Sequence, residues 1–312
     1  MKRLSQNGPE SGMTYSETAS TLPVVEEAFP VAKGRIRLFR CVHLPETVQG
    51  VVLLTHGLGE HSARYGHVIH ALTSANVAVV RYDLRGHGRS DGPRGHAPGF
   101  KMLLDDLSMM FAWTRERFPQ IPTFLYGHSL GGNITANWGL RRPAESRHAS
   151  GAILSSPWFR LAKAPAPLKV TAIRILGTVW PNLPIPAGFR PKRLMRNQEA
   201  INAYNNDPLI HRRVSARLVA QAFDAGEWAF KRASEFPLPS LCLHGGADSI
   251  TSPEATAQFS AAAPDSKMLL FPELVHEPHN EPEWKEVVTE IRDWVLTRIK
   301  TPAHSSQSVP VS

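Results

Sequence analysis

The chain predicts an α/β protein built on a mostly parallel eight-stranded sheet with helices on both faces and a helical insertion. Three observations carry that expectation. Short apolar runs alternate with longer helical patterns, as in repeated βαβ units. A Gly-x-Ser-x-Gly pentapeptide, residues 127–131, sits where one such run passes into a helix. One interval of 80 residues, 157–236, breaks the alternation.

In chain order, the strand-like runs are Val24–Phe29, Arg35–His43, Val51–Thr55, Val77–Tyr82, Thr123–Tyr126, Gly151–Ser155, Ser240–Leu243 and Lys267–Phe271. The third and fourth are nearly all Val, Leu and Ala. That composition suits strands covered on both faces, as in a parallel sheet. Helical patterns fall at Arg64–Ser74, Gly99–Phe118, Leu130–Leu140, Pro253–Ala262 and Pro282–Lys300. Parallel neighbours require crossovers, and right-handed ones put these helices on both faces.

The interrupted interval holds Pro165, Pro167, Pro181, Pro184, Pro186 and Pro191, helical pieces at Leu168–Thr178 and Val214–Arg232, and no recognisable strand. It reads as a helical cap over residues 157–236, inserted in a core of 21–156 and 237–300. Val170, Ile173, Leu176, Val179 and Trp180 are expected to line its inner face. Residues 1–20 and 301–312 are polar, lack an apolar pattern and read as disordered tails.

Composition excludes several classes. With 312 residues, 42% hydrophobic and 20% charged, the chain is neither a coiled coil nor broadly disordered. Its two cysteines, Cys41 and Cys242, form no disulfide framework and show no metal-ligand spacing. Met1-Lys2-Arg3 is basic, but no apolar run follows, so no secretory leader is expected. The longest uncharged stretch, Phe118–Leu140, carries two prolines and four glycines and is not a membrane span. A cytoplasmic protein is expected. The cap holds 13 Lys/Arg against 5 Asp/Glu, which accounts for the whole formal charge of +8. A solvated basic face explains this, and peripheral contact with an anionic membrane surface is the functional alternative. No nucleic-acid motif is present. Oligomeric state is not legible.

The pentapeptide Gly127-His128-Ser129-Leu130-Gly131 carries the chemistry. A tight strand-to-helix turn forces the serine into a strained conformation and lifts Oγ out of the bend. A serine hydroxyl needs a base at neutral pH. His276, on the loop after the last strand, is the candidate, with His279 as its rival. An acid must orient that histidine. Asp248 follows the strand Ser240–Leu243 through a glycine-rich turn, with Asp265 and Glu273 as weaker rivals. The order Ser129, Asp248, His276 is that of the α/β-hydrolase fold. The oxyanion donors would be the backbone N–H groups of Leu130 and, from the loop His56-Gly57-Leu58-Gly59, of Leu58. No metal or organic cofactor is called for.

Several stretches resemble the monoacylglycerol lipases and lysophospholipase-like hydrolases of the α/β-hydrolase superfamily. They are residues 55–65 (THGLGEHSARY), 82–92 (YDLRGHGRSDG), 127–132 (GHSLGG) and 204–209 (YNNDPL), with His276-Glu277 and Asn280-Glu281-Pro282. The likeness spans about Phe29 to Ile299. It implies a carboxylic ester hydrolase acting on a lipid ester, a monoacylglycerol, with Glu60, Arg64, Tyr204 and His279 near the polar end of the site. Lysophospholipase or broad carboxylesterase activity is the alternative, and a catalytically weak acyl-ligand sensor is the alternative of another class.

Overall fold

The computed structural model describes residues 24–31, 36–187 and 190–300. Both tails expected to be disordered lie outside these. In chain order the elements are β1 (Val24–Val31), β2 (Ile36–His43), β3 (Gly50–Thr55), α1 (Gly66–Thr73), β4 (Val77–Tyr82), α2 (Phe100–Arg117), β5 (Thr123–His128), α3 (Leu130–Arg141), α4 (Pro143–Ser146) and β6 (Gly151–Ser155). Next come α5 (Pro167–Val179), β7 (Pro184–Pro186), α6 (Pro191–Leu194), α7 (Gln198–Asn206), β8 (Arg213–Ser215) and α8 (Ala216–Phe230). The chain closes with β9 (Ser240–Gly245), α9 (Pro253–Ala262), β10 (Ser266–Phe271) and α10 (Trp284–Lys300).

Eight strands form one sheet in the order β1-β2-β4-β3-β5-β6-β9-β10. β1 and β2 are antiparallel to their neighbours, and the remaining pairs are parallel. The eight-stranded, mostly parallel expectation is borne out. β3, β4 and β5 are buried along their whole length, because each face of the sheet carries helices. One face packs on α2, α3 and α9 through Leu107, Met110, Ile134, Trp138 and Phe259. The other packs on α1 and α10 through Val68, Leu72, Ile291 and Val295.

Between β6 and β9 the chain leaves the sheet. This segment is mainly helical, but β7 and β8 pair antiparallel there, which corrects the expectation of no strand. Each strand has three residues, too few to show a period-two pattern, and Pro184 and Pro186 lack N–H groups. The segment also corrects the expected inner face. Helix α5 buries only Gly177, at which a side chain would meet the Arg217 backbone at about 3.0 Å. The glycine lets α5 lie close on α8, and this contact turns Leu168, Ile175, Leu176, Val179 and Trp180 outward. Val179 is 78% and Trp180 61% exposed. Ile173 alone of the five residues expected inside packs against the main core. Among the described residues no helix is long and apolar enough to cross a membrane.

Candidate active site

Strand β5 ends at His128, and α3 begins two residues on, at Leu130. Ser129 joins them with φ 52° and ψ −112°, a region nearly closed to residues with a side chain. Three backbone hydrogen bonds hold it there. Its N–H donates to the Ser155 carbonyl at 2.9 Å, and its carbonyl accepts from the N–H groups of Asn133 (3.0 Å) and Trp158 (2.9 Å). The flanking glycines are sterically required. A methyl group on Gly131 would lie 2.1 Å from the Thr55 carbonyl oxygen, and one on Gly127 would lie 2.4 Å from that of Gly131. The same crowding brings Gly57 against Ser129, since a side chain at 57 would meet Ser129 Cβ at 3.3 Å. The loop carrying Leu58 is thereby set beside the serine. Leu130 opens α3, so its N–H lies in the unsatisfied first turn, at the positive end of the helix dipole.

Three side chains from distant positions meet at this turn. His276 Nε2 is 3.0 Å from Ser129 Oγ, and His276 Nδ1 is 2.7 Å from Asp248 Oδ2. Asp248 Oδ1 accepts from the backbone N–H groups of Ile250 (2.6 Å) and Thr251 (3.2 Å). Its Oδ2 also accepts from Thr251 Oγ1 at 2.8 Å and from His244 Nε2 at 3.0 Å. Burial works to raise the Asp248 pKa. The charge on His276 and the hydrogen bonds from His244 and His276 outweigh it and hold the carboxyl far below its ordinary range. His276 moves the other way. Burial would lower it, but the Asp248 charge and hydrogen bond prevail and raise it. Its neighbour His128 is driven well below the ordinary value, first by burial and then by the charge on His276.

Glu60, Arg64 and Tyr204, placed near the site by resemblance, line one small cavity with Gly57, Leu58, His128, Ser129, Leu194, His276 and Glu277. Glu60 and Arg64 also form a buried ion pair, Arg64 Nη1 to Glu60 Oε2 at 2.6 Å. Glu60 Oε1 accepts from the Gly57 N–H at 2.7 Å and from Tyr65 Oη at 2.6 Å, so it braces the loop before Leu58. Arg64 grips Glu277 with both terminal nitrogens, at 2.8 and 2.6 Å, and Tyr204 lies with its ring 5.0 Å from the guanidinium. Burial raises the Glu277 carboxyl, but Arg64 lowers it by more, and the net shift is downward.

His279 stands one layer behind and does not line the cavity. Its ring stacks on Tyr65 at 4.5 Å and 14°. Burial pushes its pKa down to about 3, so it is neutral. Asp265 pairs with Arg298 on the surface, away from the serine. Sequence reasoning missed Glu277, Thr251 and His244. Glu277 was visible only as part of a motif, and the other two only as residues flanking Asp248.

The free volume over Ser129 is about 10 Å³, room for about one water-sized group. Leu194 and Tyr204, both from the segment between β6 and β9, form part of its wall. Among the described residues no group of three or more His, Cys, Asp or Glu side chains is arranged to hold a metal.

The chain matches the family described as serine aminopeptidase, S33, over residues 46–283. It is 31% identical over 271 residues to a monoacylglycerol lipase of Mycolicibacterium smegmatis, covering 85% of this chain and 95% of that one. A longer relative, an uncharacterized abhydrolase domain-containing protein of Dictyostelium discoideum, is 33% identical over 260 residues. The match covers 82% of this chain and 27% of that one. The crystal structure of a monoacylglycerol lipase from Paleococcus ferrophilus superposes with a TM-score of 0.76 at 34% identity, covering 84% of this chain and 99% of that one. Sheet order, serine turn and these likenesses converge: the chain belongs to the serine aminopeptidase S33 family of α/β-hydrolases, in its monoacylglycerol lipase-like group, and is a carboxylic ester hydrolase.

Proposed function

We propose that the protein hydrolyses monoacylglycerols to fatty acid and glycerol through an acyl-enzyme on Ser129. The observation that carries this reading is the continuous hydrogen-bonded series from Ser129 Oγ through His276 to Asp248. His276 Nε2 takes the hydroxyl proton as Oγ attacks the ester carbonyl. The Leu58 and Leu130 N–H groups receive the oxyanion. His276 then protonates the departing glycerol oxygen. A water molecule, deprotonated by the same nitrogen, attacks the acyl-enzyme, and Ser129 regains its proton as the fatty acid leaves. Asp248 stays ionised and stabilises the imidazolium.

Charge at the far end of the cavity supports a neutral alcohol as leaving group. Two buried carboxylates, Glu60 and Glu277, face one guanidinium, Arg64. A phosphate brought there would meet net negative charge at low dielectric. The expected result on purified protein is turnover of monoacylglycerols of one optimal chain length well above that of lysophosphatidylcholine with the same acyl chain. Equal or faster lysophospholipid turnover would replace this reading with the lysophospholipase one.

An acyl chain needs more room than this small cavity offers, so residues 157–236 act as a cap that must move outward. The exposed apolar face of α5, flanked by the exposed Lys163 and Lys169, suits an anionic bilayer, where such substrates reside. Sedimentation with phosphatidylglycerol-containing vesicles should fall as salt rises, and Val179→Ser with Trp180→Ser should abolish it. Binding that survives both changes would remove the membrane from the account.

A further inference from the structure

The mechanism above leaves one buried imidazole without a task. His244, the penultimate residue of β9, is fully enclosed and touches the same Asp248 oxygen that His276 uses. Its other nitrogen, Nδ1, is 2.8 Å from Thr256 Oγ1 on α9. A carboxylate only accepts hydrogen bonds, so His244 must carry its proton on Nε2 to bond Asp248. Nδ1 is then the acceptor, and the Thr256 hydroxyl must be the donor. The other acceptor open to that hydroxyl, the Ser252 carbonyl, lies at a weaker 3.4 Å. Burial lowers the His244 pKa more than Asp248 raises it, which keeps the ring neutral and this single tautomer in place.

The hydrogen-bonded series is therefore longer than three residues. Thr256 donates to His244, His244 donates to Asp248 Oδ2, and His276 donates to the same oxygen while accepting from Ser129. Two imidazoles and the Thr251 hydroxyl divide the charge of one carboxylate oxygen. Every donor that shares Oδ2 weakens the hold of that oxygen on a proton at His276.

We propose that His244, fixed in tautomer by Thr256, is a positioning residue for the reaction: it shares Asp248 Oδ2 with His276 and thereby sets how strongly His276 holds the proton of Ser129. The inference rests on the Ser129 reading above. Besides Asp248, the groups acting on His276 are Glu277 and Glu60, which favour its charged form, and the neutral rings of His128 and His279. His244 is the one imidazole that reaches His276 through its carboxylate partner.

The test is the pH profile of kcat/KM for His244→Phe, His244→Gln and Thr256→Val, with Ser129→Ala as control. With the donor gone in His244→Phe, Asp248 binds the imidazolium more strongly. The acid limb should move upward by about half a pH unit or more, with KM unchanged and kcat recovering at higher pH. Thr256→Val should move it the same way by less. His244→Gln restores an N–H donor to Oδ2 and should return the limb to the wild-type position. A purely structural role would lower activity at all pH values and leave the limb in place. An unmoved or downward-moved limb in His244→Phe, or no rescue by Gln, would overturn the proposal. Nitrogen-detected NMR of the folded wild-type protein gives a second reading, independent of variant folding. The Nε2–H tautomer of His244 is expected, and Nδ1–H would refute the assignment. Turnover retained in Ser129→Ala would instead bring down the underlying mechanism.

Discussion

Ser129→Ala is expected to lower kcat for a p-nitrophenyl ester by about 10⁶-fold while leaving KM and thermal stability close to wild type. The magnitude follows from what remains. Without Oγ there is no acyl-enzyme, and His276 has nothing to deprotonate except water held by chance. On the proposed mechanism the Leu58 and Leu130 N–H groups remain to bind an oxyanion, so a small residual rate over the uncatalysed reaction is expected. Stability should hold because Ser129 is fixed by its backbone bonds to Ser155, Asn133 and Trp158, and Ala keeps all of them. Rates are to be measured at matched folded fractions, checked by circular dichroism.

Asp248→Asn should cost about 10⁴-fold in kcat and should also move the pH profile, in a direction the geometry dictates. In the wild type, His276 must be neutral to act as a base, and Asp248 raises its pKa against the lowering effect of burial. Activity therefore falls as pH drops through a value above the ordinary histidine range. Asparagine removes the negative charge and leaves burial opposed only by the weaker pull of Glu277 and Glu60. His276 then stays neutral to lower pH, and the acid limb shifts downward. Turnover falls even so, because the imidazolium formed on proton transfer loses its counter-charge and the Nδ1–H tautomer its acceptor. This shift is opposite in sign to the one expected for His244→Phe, so the two variants separate loss of the carboxylate charge from loss of its sharing. An acid limb that stayed in place in Asp248→Asn would mean that another group raises His276.

What the sequence made legible follows how local each signal is. Ser129 lies in a pentapeptide whose strand, turn and helix are contiguous, so steric rules apply within a dozen residues. β3 and β4 announce their double-sided burial in their own composition. Asp248 and His276 come from strand ends in a parallel sheet, which fixes their edge without fixing their partners. The unread features depend on contacts across the fold. Glu277 becomes part of the cavity wall only because Arg64, 213 residues earlier, reaches it. Thr256 looks like an ordinary first-turn residue of α9 until His244 is seen against it. Helix α5 carries an apolar stripe that any periodicity rule turns inward. The close fit of Gly177 on Arg217 of α8 turns it outward, and neither residue signals that pairing alone.

The most direct measurement is covalent labelling with a fluorophosphonate probe, followed by peptide mapping by mass spectrometry. The account predicts one adduct per chain, on Ser129, lost in Ser129→Ala and strongly slowed in His276→Ala but not in His279→Ala. An adduct on a different serine, or ester turnover that persists while Ser129 is fully modified, would contradict it.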